Sequence, residues 1–246
     1  MSTPFTPVRA SLALLMMLVL GAATRLPAQE QLLFGPGAEF FGLGLSRLAT
    51  GELDDRLAAQ GYPTFGRTAV GVSLGGYRIF RRRWTLGAEW QGIIQGAEEH
   101  QGRTVGFGGG YGTIGVGRVV ELSPRVRVTP RVGFGGGGFG LWFDRPEPSV
   151  GFDAVLGDPD RYRDSVRGYL SETVLSHGSA LVDLGVGVEL LARATGRGPM
   201  LGLRVGYLAM PSTTEWQLRE RPVTGGPEAS LAGPYVRVMI GTGRRR

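Results

Sequence analysis

Along much of the chain, apolar residues alternate with small or polar ones. The segment 181–190 is the cleanest case: Val182, Leu184, Val186, Val188 and Leu190 fall on one face of a strand, and Asp183, Gly185, Gly187 and Glu189 on the other. In a water-soluble sheet the apolar face turns to a core and the polar face meets solvent. Here the polar face consists of glycines and isolated charges, too little bulk to cover a domain. Turned inside out, the pattern fits a closed barrel in a membrane, with an apolar outside and a polar inside.

Eight such segments can be read, at about 37–45, 68–80, 84–95, 104–122, 126–143, 180–193, 201–209 and 231–243. An even number suits a single-chain barrel. The connections alternate in length. Residues 81–83, 123–125 and 194–200 read as tight turns, whereas 46–67, 96–103, 144–179 and 210–230 read as longer loops. Short turns on one rim and long loops on the other is the asymmetry of outer-membrane barrels, and it puts both ends of the barrel on the short-turn, periplasmic rim. The fold expected is all-β: an eight-stranded antiparallel up-and-down transmembrane β-barrel with short helical turns in its long loops. Leu53 and Leu57 mark one such turn, stopped by Gly61 and Pro63. Asp158, Pro159 and the stripe Tyr162, Val166, Leu170 mark another. These helices read first as devices that shorten loops, and alternatively as a cover for the barrel mouth.

Phasing the strands sorts the side chains. Val70, Leu74, Leu86, Trp90, Ile94, Ile114, Phe134, Leu203, Val205 and Val238 fall outward, toward lipid, with Trp84 and Trp142 near strand ends as interfacial aromatics. The inward ionisable set is Glu89, Glu121, Asp183 and Glu189 against Arg127, Arg131, Arg204 and Arg237, with Gln91 among them. Equal numbers imply salt bridges across a plugged, non-conducting lumen, because unpaired charges there would cost several kcal/mol each. Alternate glycines in 106–112 and 133–140 make room for the larger inward side chains. A phase slip near 111–113 suggests a bulge, and Pro130 and Pro234 interrupt strand hydrogen bonding, which places them near rims or bulges.

The front of the chain changes the picture further. Arg9, an apolar stretch from Ala10 to Ala23 and the small-residue segment ending Leu26-Pro27-Ala28 read as a secretory signal peptide, residues 1–28, leaving 29–246 as the barrel domain. The net charge is +6, and losing Arg9 and Arg25 takes it to +4. There is no lysine, so every basic side chain apart from two histidines is arginine, and no basic patch interleaves with aromatics, so nucleic acid is not an expected partner. The absence of cysteine rules out disulfides, thiolate metal sites and lipid attachment at a cysteine.

Candidate chemistry is sparse. The glycine patterns at 110–115 and 133–138 match a dinucleotide loop in spacing, but neither opens a helix. Asp158, Asp160 and Asp164 could offer oxygens to Ca²⁺, although Arg145, Arg161, Arg163 and Arg167 are nearer at hand as ion-pair partners. His177 and Ser179 share a strand face, a base two residues from a hydroxyl. This pair resembles the His-x-Ser arrangement of outer-membrane lipid A deacylases of the PagL kind, which implies an acyl hydrolase with Ser179 as nucleophile and His177 as base. No cofactor or metal is expected, and the enzyme is the alternative rather than the leading reading. A soluble secreted ligand-binding barrel is a further alternative, which would need bulky apolar side chains inside.

The signal peptide, the eight amphipathic segments, the loop asymmetry and the ending Tyr235-Val236-Arg237-Val238-Met239-Ile240-Gly241 together resemble the OmpA-like and OmpX-like outer-membrane β-barrel proteins. Members of those families usually finish on an aromatic residue, whereas this chain ends Gly243-Arg244-Arg245-Arg246. The resemblance implies an outer-membrane location, lipid as the surrounding partner, a monomer, and a structural or interaction role in which long loops meet envelope or extracellular partners.

Overall fold

The computed structural model describes residues 36–81, 83–100, 103–144, 173–218 and 221–245. Its strands are β1 (Gly37–Arg47), β2 (Thr68–Phe80), β3 (Trp84–His100), β4 (Arg103–Arg118), β5 (Val120–Glu121), β6 (Val126–Asp144), β7 (Thr173–Leu191), β8 (Gly196–Thr213), β9 (Trp216–Leu218), β10 (Arg221–Val223) and β11 (Gly233–Arg245), with one helix, α1 (Gly51–Ala59). Eight of the strands form the wall, in the order β1-β2-β3-β4-β6-β7-β8-β11. Every neighbour is antiparallel and β11 returns to β1. Closure leaves the wall without an edge, which a membrane requires because hydrocarbon offers no partner for a free N–H or C=O.

The apolar belt explains why the barrel faces this way. Ile94, Ile114, Phe134 and Ile240 are each 63–67% exposed, and Leu43, Leu74, Trp90, Leu184, Leu203, Val205 and Val238 also project outward. This band encircles the wall. In water it would far exceed the few hundred Å² of contiguous apolar surface that soluble monomers tolerate.

The strands run further than alternation predicts. β3 continues to His100 and β4 starts at Arg103, so the expected loop at 96–103 is a tight hairpin. β7 starts at Thr173 and β8 ends at Thr213. These extensions raise one side of the wall above β1, β2 and β11. The expected bulge near Tyr111 is absent: β4 keeps its phase there, and the extra residue lies in β3 between Gln95 and Glu98. A second irregularity lies in β8, opposite Ala180 and Val182 of β7. Pro130 does mark a break. It sits opposite the interruption between β4 and β5, where Gly117 pairs with Arg131 and Val120 with Val128 but no pairing joins the residues between. Pro234 pairs with Tyr207 of β8 but lies one residue past the end of the β1 ladder, so its missing N–H costs nothing there. Arg244 and Arg245 are not a loose tail: both pair with the start of β8.

The expected signal peptide, the second expected helix and the Asp158, Asp160, Asp164 set with its arginines lie outside the described residues.

Candidate functional site in the lumen and its cap

Inside the belt, the lumen is ionic. Glu89 on β3 is the hub. One carboxylate oxygen accepts from Arg131 Nη1 at 2.7 Å and from Arg204 Nη1, and the other accepts from Arg237 Nη1 at 2.6 Å. Arg237 also donates to Tyr111, whose hydroxyl donates to Gln91 at 2.8 Å, and its guanidinium lies over the Tyr235 ring at 3.8 Å. Tyr235 donates to Asp183 at 2.5 Å, and Arg131 Nη2 lies 3.7 Å from the other Asp183 oxygen. Nearer the short-turn rim, Glu189 Oε2 accepts from Tyr77 at 2.6 Å and Arg127 Nε at 2.9 Å. Glu89, Arg204 and Arg237 are each at most 4% exposed, so these side chains fill the cross-section. A cavity of about 20 Å³, lined in part by Thr129, Arg131, Glu189 and Arg204, has room for about one water.

Glycine placement makes this packing feasible. A Cβ on Gly44 would lie 2.6 Å from Arg237 Cγ, and one on Gly206 2.5 Å from the Tyr235 hydroxyl. Arg237 and Tyr235 occupy the volume that side chains at those positions would need.

One member of the expected inward set is elsewhere. Glu121 is exposed on β5 at the short-turn rim. Its register is unshifted, since Gly117 pairs with Arg131 and Glu121 with Arg127, so its height at the rim, not its phase, leaves it exposed. The described lumen therefore holds three carboxylates against four arginines, not equal numbers. Tyr77, Tyr111 and Tyr235, absent from the expected set, supply the hydroxyls that connect the ion pairs. Their parity with Gln91-facing and Arg237-facing positions was a usable signal.

Both ends of the lumen are apolar. Phe40, Ile79, Leu191, Met200 and Met239 pack below the charges. Above them lies a larger core of Ile93, Val105, Phe107, Phe139, Leu141, Leu181 and Leu208, so the expectation of a polar interior holds only for the middle layer. This upper core is closed from above. Leu53 and Leu57 of α1 insert into it together with Phe65, so the helix covers the mouth rather than merely shortening its loop. Trp216 of β9 enters from the opposite side, and β9 pairs with the raised end of β7. Rings run across the mouth from Phe65 to Phe107 to Phe139, at centroid spacings of 5.5 and 5.1 Å, and on to His177 and Trp216.

Polar contacts latch the two halves of this cap. Ala49 and Ser230 exchange both backbone hydrogen bonds. Glu52 accepts from the Glu228 N–H at 2.9 Å and from Arg56 at 2.9 Å, while Arg56 donates to the Gly225 carbonyl at 2.5 Å. These contacts hold the Glu52 carboxyl below the ordinary glutamate value. Asp54 accepts from the Phe65 N–H at 2.9 Å, and its partial burial outweighs that contact and raises its carboxyl.

A closed antiparallel wall and an encircling apolar belt settle the architecture. The chain is an eight-stranded transmembrane β-barrel. It shares the architecture of the OmpA-like and OmpX-like proteins. No family model matches the chain, and no curated protein matches it. Among solved structures it is similar to Ail, the attachment invasion locus protein of Yersinia pestis, in complex with the heparin analogue sucrose octasulfate (12% identity, TM-score 0.46, covering 85% of this chain and 97% of that one). Another Ail structure gives 14% identity and a TM-score of 0.45 with the same coverage. A major outer membrane protein from Thermus thermophilus gives 10% identity and a TM-score of 0.42, covering 85% of this chain and 99% of that one.

The candidate catalytic pair lies on the inner side of β7. The His177 ring stacks on Trp216 at 5.1 Å and meets Phe139 edge-on, and its Nδ1 has no hydrogen-bond partner among the described residues. The Ser179 hydroxyl donates to the Ala180 carbonyl at 2.6 Å. Among the described residues, no carboxylate orients the imidazole through Nδ1, as a base in a hydrolase needs. The two glycine patterns lie within β4 and β6, paired with each other through Gly110–Gly138 and Gly112–Gly136, and neither opens a helix. No group of three or more potential metal ligands occurs among the described residues.

Proposed function

We propose that the barrel is a structural and interaction protein of the bacterial cell envelope, exported with residues 1–28 as its signal and working as a monomer. The belt anchors it in outer-membrane lipid, and the latched cap presents its long-loop surface to envelope or extracellular partners. The observation that carries this reading is the filled cross-section around Glu89. Three arginines converge on one buried carboxylate there, which leaves no path for ions through the belt and confines function to the exposed ends. The cap is suited to contact: Asp55, Arg56, Glu215, Arg221 and Glu228 project from it as a mixed-charge, polar surface over a rigid apolar floor.

The test uses the purified full chain in planar bilayers, with a heat-modifiable band on gels as proof of folding. A folded barrel with no stable conductance is the expected result. Discrete channel openings would overturn the plugged reading. Fatty-acid release from lipid vesicles by the parent chain, lost in Ser179→Ala, would replace it with the hydrolase.

A further inference from the structure

Charge outside the lumen is unevenly placed. On the short-turn rim, Arg81 and Arg83 flank the β2–β3 turn, Arg125 precedes β6 and Arg193 lies in the β7–β8 turn, all exposed. Arg118 at the end of β4 and Arg244 near the end of β11 are exposed beside them. Arg78 and Arg197 complete this rim and share the carboxylate of Glu39, at 2.7 and 3.5 Å. Glu121 is the other acid there. Among residues with described side chains, eight arginines thus face two glutamates. At the cap, five acids (Glu52, Asp54, Asp55, Glu215, Glu228) face four arginines (Arg47, Arg56, Arg67, Arg221). Arginine supplies the positive charge at both ends, so composition does not explain the contrast.

Two further observations connect the rim to lipid. First, the arginines adjoin the belt. Arg118 pairs in register with Trp84, which is 45% exposed, and Arg83 is the residue before it; Leu122, 66% exposed, lies between Arg118 and Arg125. A guanidinium at this height sits where hydrocarbon gives way to headgroups. Second, Arg81 has φ of 46°, a left-handed conformation that favours glycine. Among the described residues it is the one position other than glycine with such a backbone.

We propose that the short-turn rim is a binding ring for anionic phospholipid headgroups, its guanidiniums gripping lipid phosphates. The planar fork of arginine matches two phosphate oxygens at once, which an isolated ammonium cannot do. The ring adds headgroup selectivity to an anchor that the belt alone would leave indifferent to lipid charge. It rests on the membrane reading only for insertion.

The full chain is folded into phosphatidylcholine vesicles carrying spin-labelled phosphatidylglycerol or spin-labelled phosphatidylcholine. The motionally restricted fraction of each label gives their relative association with the barrel. The parent chain is expected to favour the anionic label by roughly fivefold at low salt. That preference should collapse toward unity at about 1 M salt, where screening reaches only about 3 Å. Combining Arg81→Gln, Arg83→Gln, Arg125→Gln and Arg193→Gln should abolish it. Arg47→Gln with Arg221→Gln at the cap should leave it intact. Equal association of both labels with the parent overturns the proposal. So does a preference that survives the rim substitutions or falls equally with the cap ones. If the fourfold variant does not fold, Arg125→Gln and Arg193→Gln are read singly, each expected to lower the ratio. A parent chain that gives no heat-modifiable band refutes the membrane reading instead, and so is distinguished from failure of the ring.

Discussion

The charged layer around Glu89 and the apolar layer around Phe107 occupy one lumen, on the same strands, only a few residues apart. β7 carries both. Within the belt it points Leu184, Val186 and Val188 outward and Asp183 and Glu189 inward; above the belt it points Leu181 and His177 inward and Ala180 outward. What changes between the layers is the medium outside. Against hydrocarbon, an apolar side chain gains little by turning inward, because lipid solvates it as well as a core would. Above the belt the outside is water, and burial of apolar surface again drives packing. The upper barrel is thus built like a soluble one, while the middle layer is inverted.

The sharpest way to break this contrast is at Glu89. Glu89→Gln leaves Arg131, Arg204 and Arg237 buried around a neutral amide. Loss of one partner of a buried charge cluster costs about 3–5 kcal/mol. The folded, heat-resistant band should shrink strongly and its thermal midpoint should fall. A wild-type midpoint would show that the ionic layer does not hold the barrel.

A smaller and more local effect is expected at Leu53, 3% exposed beneath the cap. Leu53→Ala removes a core side chain at a cost of about 2–5 kcal/mol. Only the cap should feel it. Limited proteolysis within 48–67 and 214–232 should accelerate, while the thermal transition of the wall stays near that of the parent. If the wall melts with the cap, the two layers are one cooperative unit.

The smallest effect is acid opening of the latch. The Glu52 carboxyl is held below its ordinary value of 4.5 by the Glu228 N–H and Arg56. Its contribution to the cap is present above that unfolded value and disappears as pH falls through the lower folded one. Asp54 acts in the opposite sense, because burial raises its carboxyl and protonation relieves that cost. Cleavage within 214–232 should therefore rise modestly below about pH 4. Glu52→Gln should remove most of that dependence and make cleavage faster at neutral pH.

Where alternation was strict, the sequence located strands and faces well. The belt residues from Val70 to Ile240, and seven of the eight inward charges, lie where two-residue periodicity puts them. It failed where the periodicity changed meaning. The inward apolar run of Phe139, Leu141 and Leu181 breaks the rule of polar-inside that held in the middle layer, and the raised ends of β3, β7 and β8 read as loop. Glu121 misled for a different reason: its register with β6 is unshifted, but it lies at the very end of the wall, where water reaches it, and a two-residue period carries no information about height.

The linear order of residues by itself determined strand number, the sidedness of each wall strand within the belt and the contrast between short and long connections, because a pleated strand obliges successive side chains to alternate. Only the tertiary structure decided which charges meet, that three arginines share Glu89, that α1 and Trp216 close the mouth, and that arginines from separate turns gather on one rim. Those outcomes depend on closure, which brings residues more than a hundred positions apart into contact, and no local period encodes that distance.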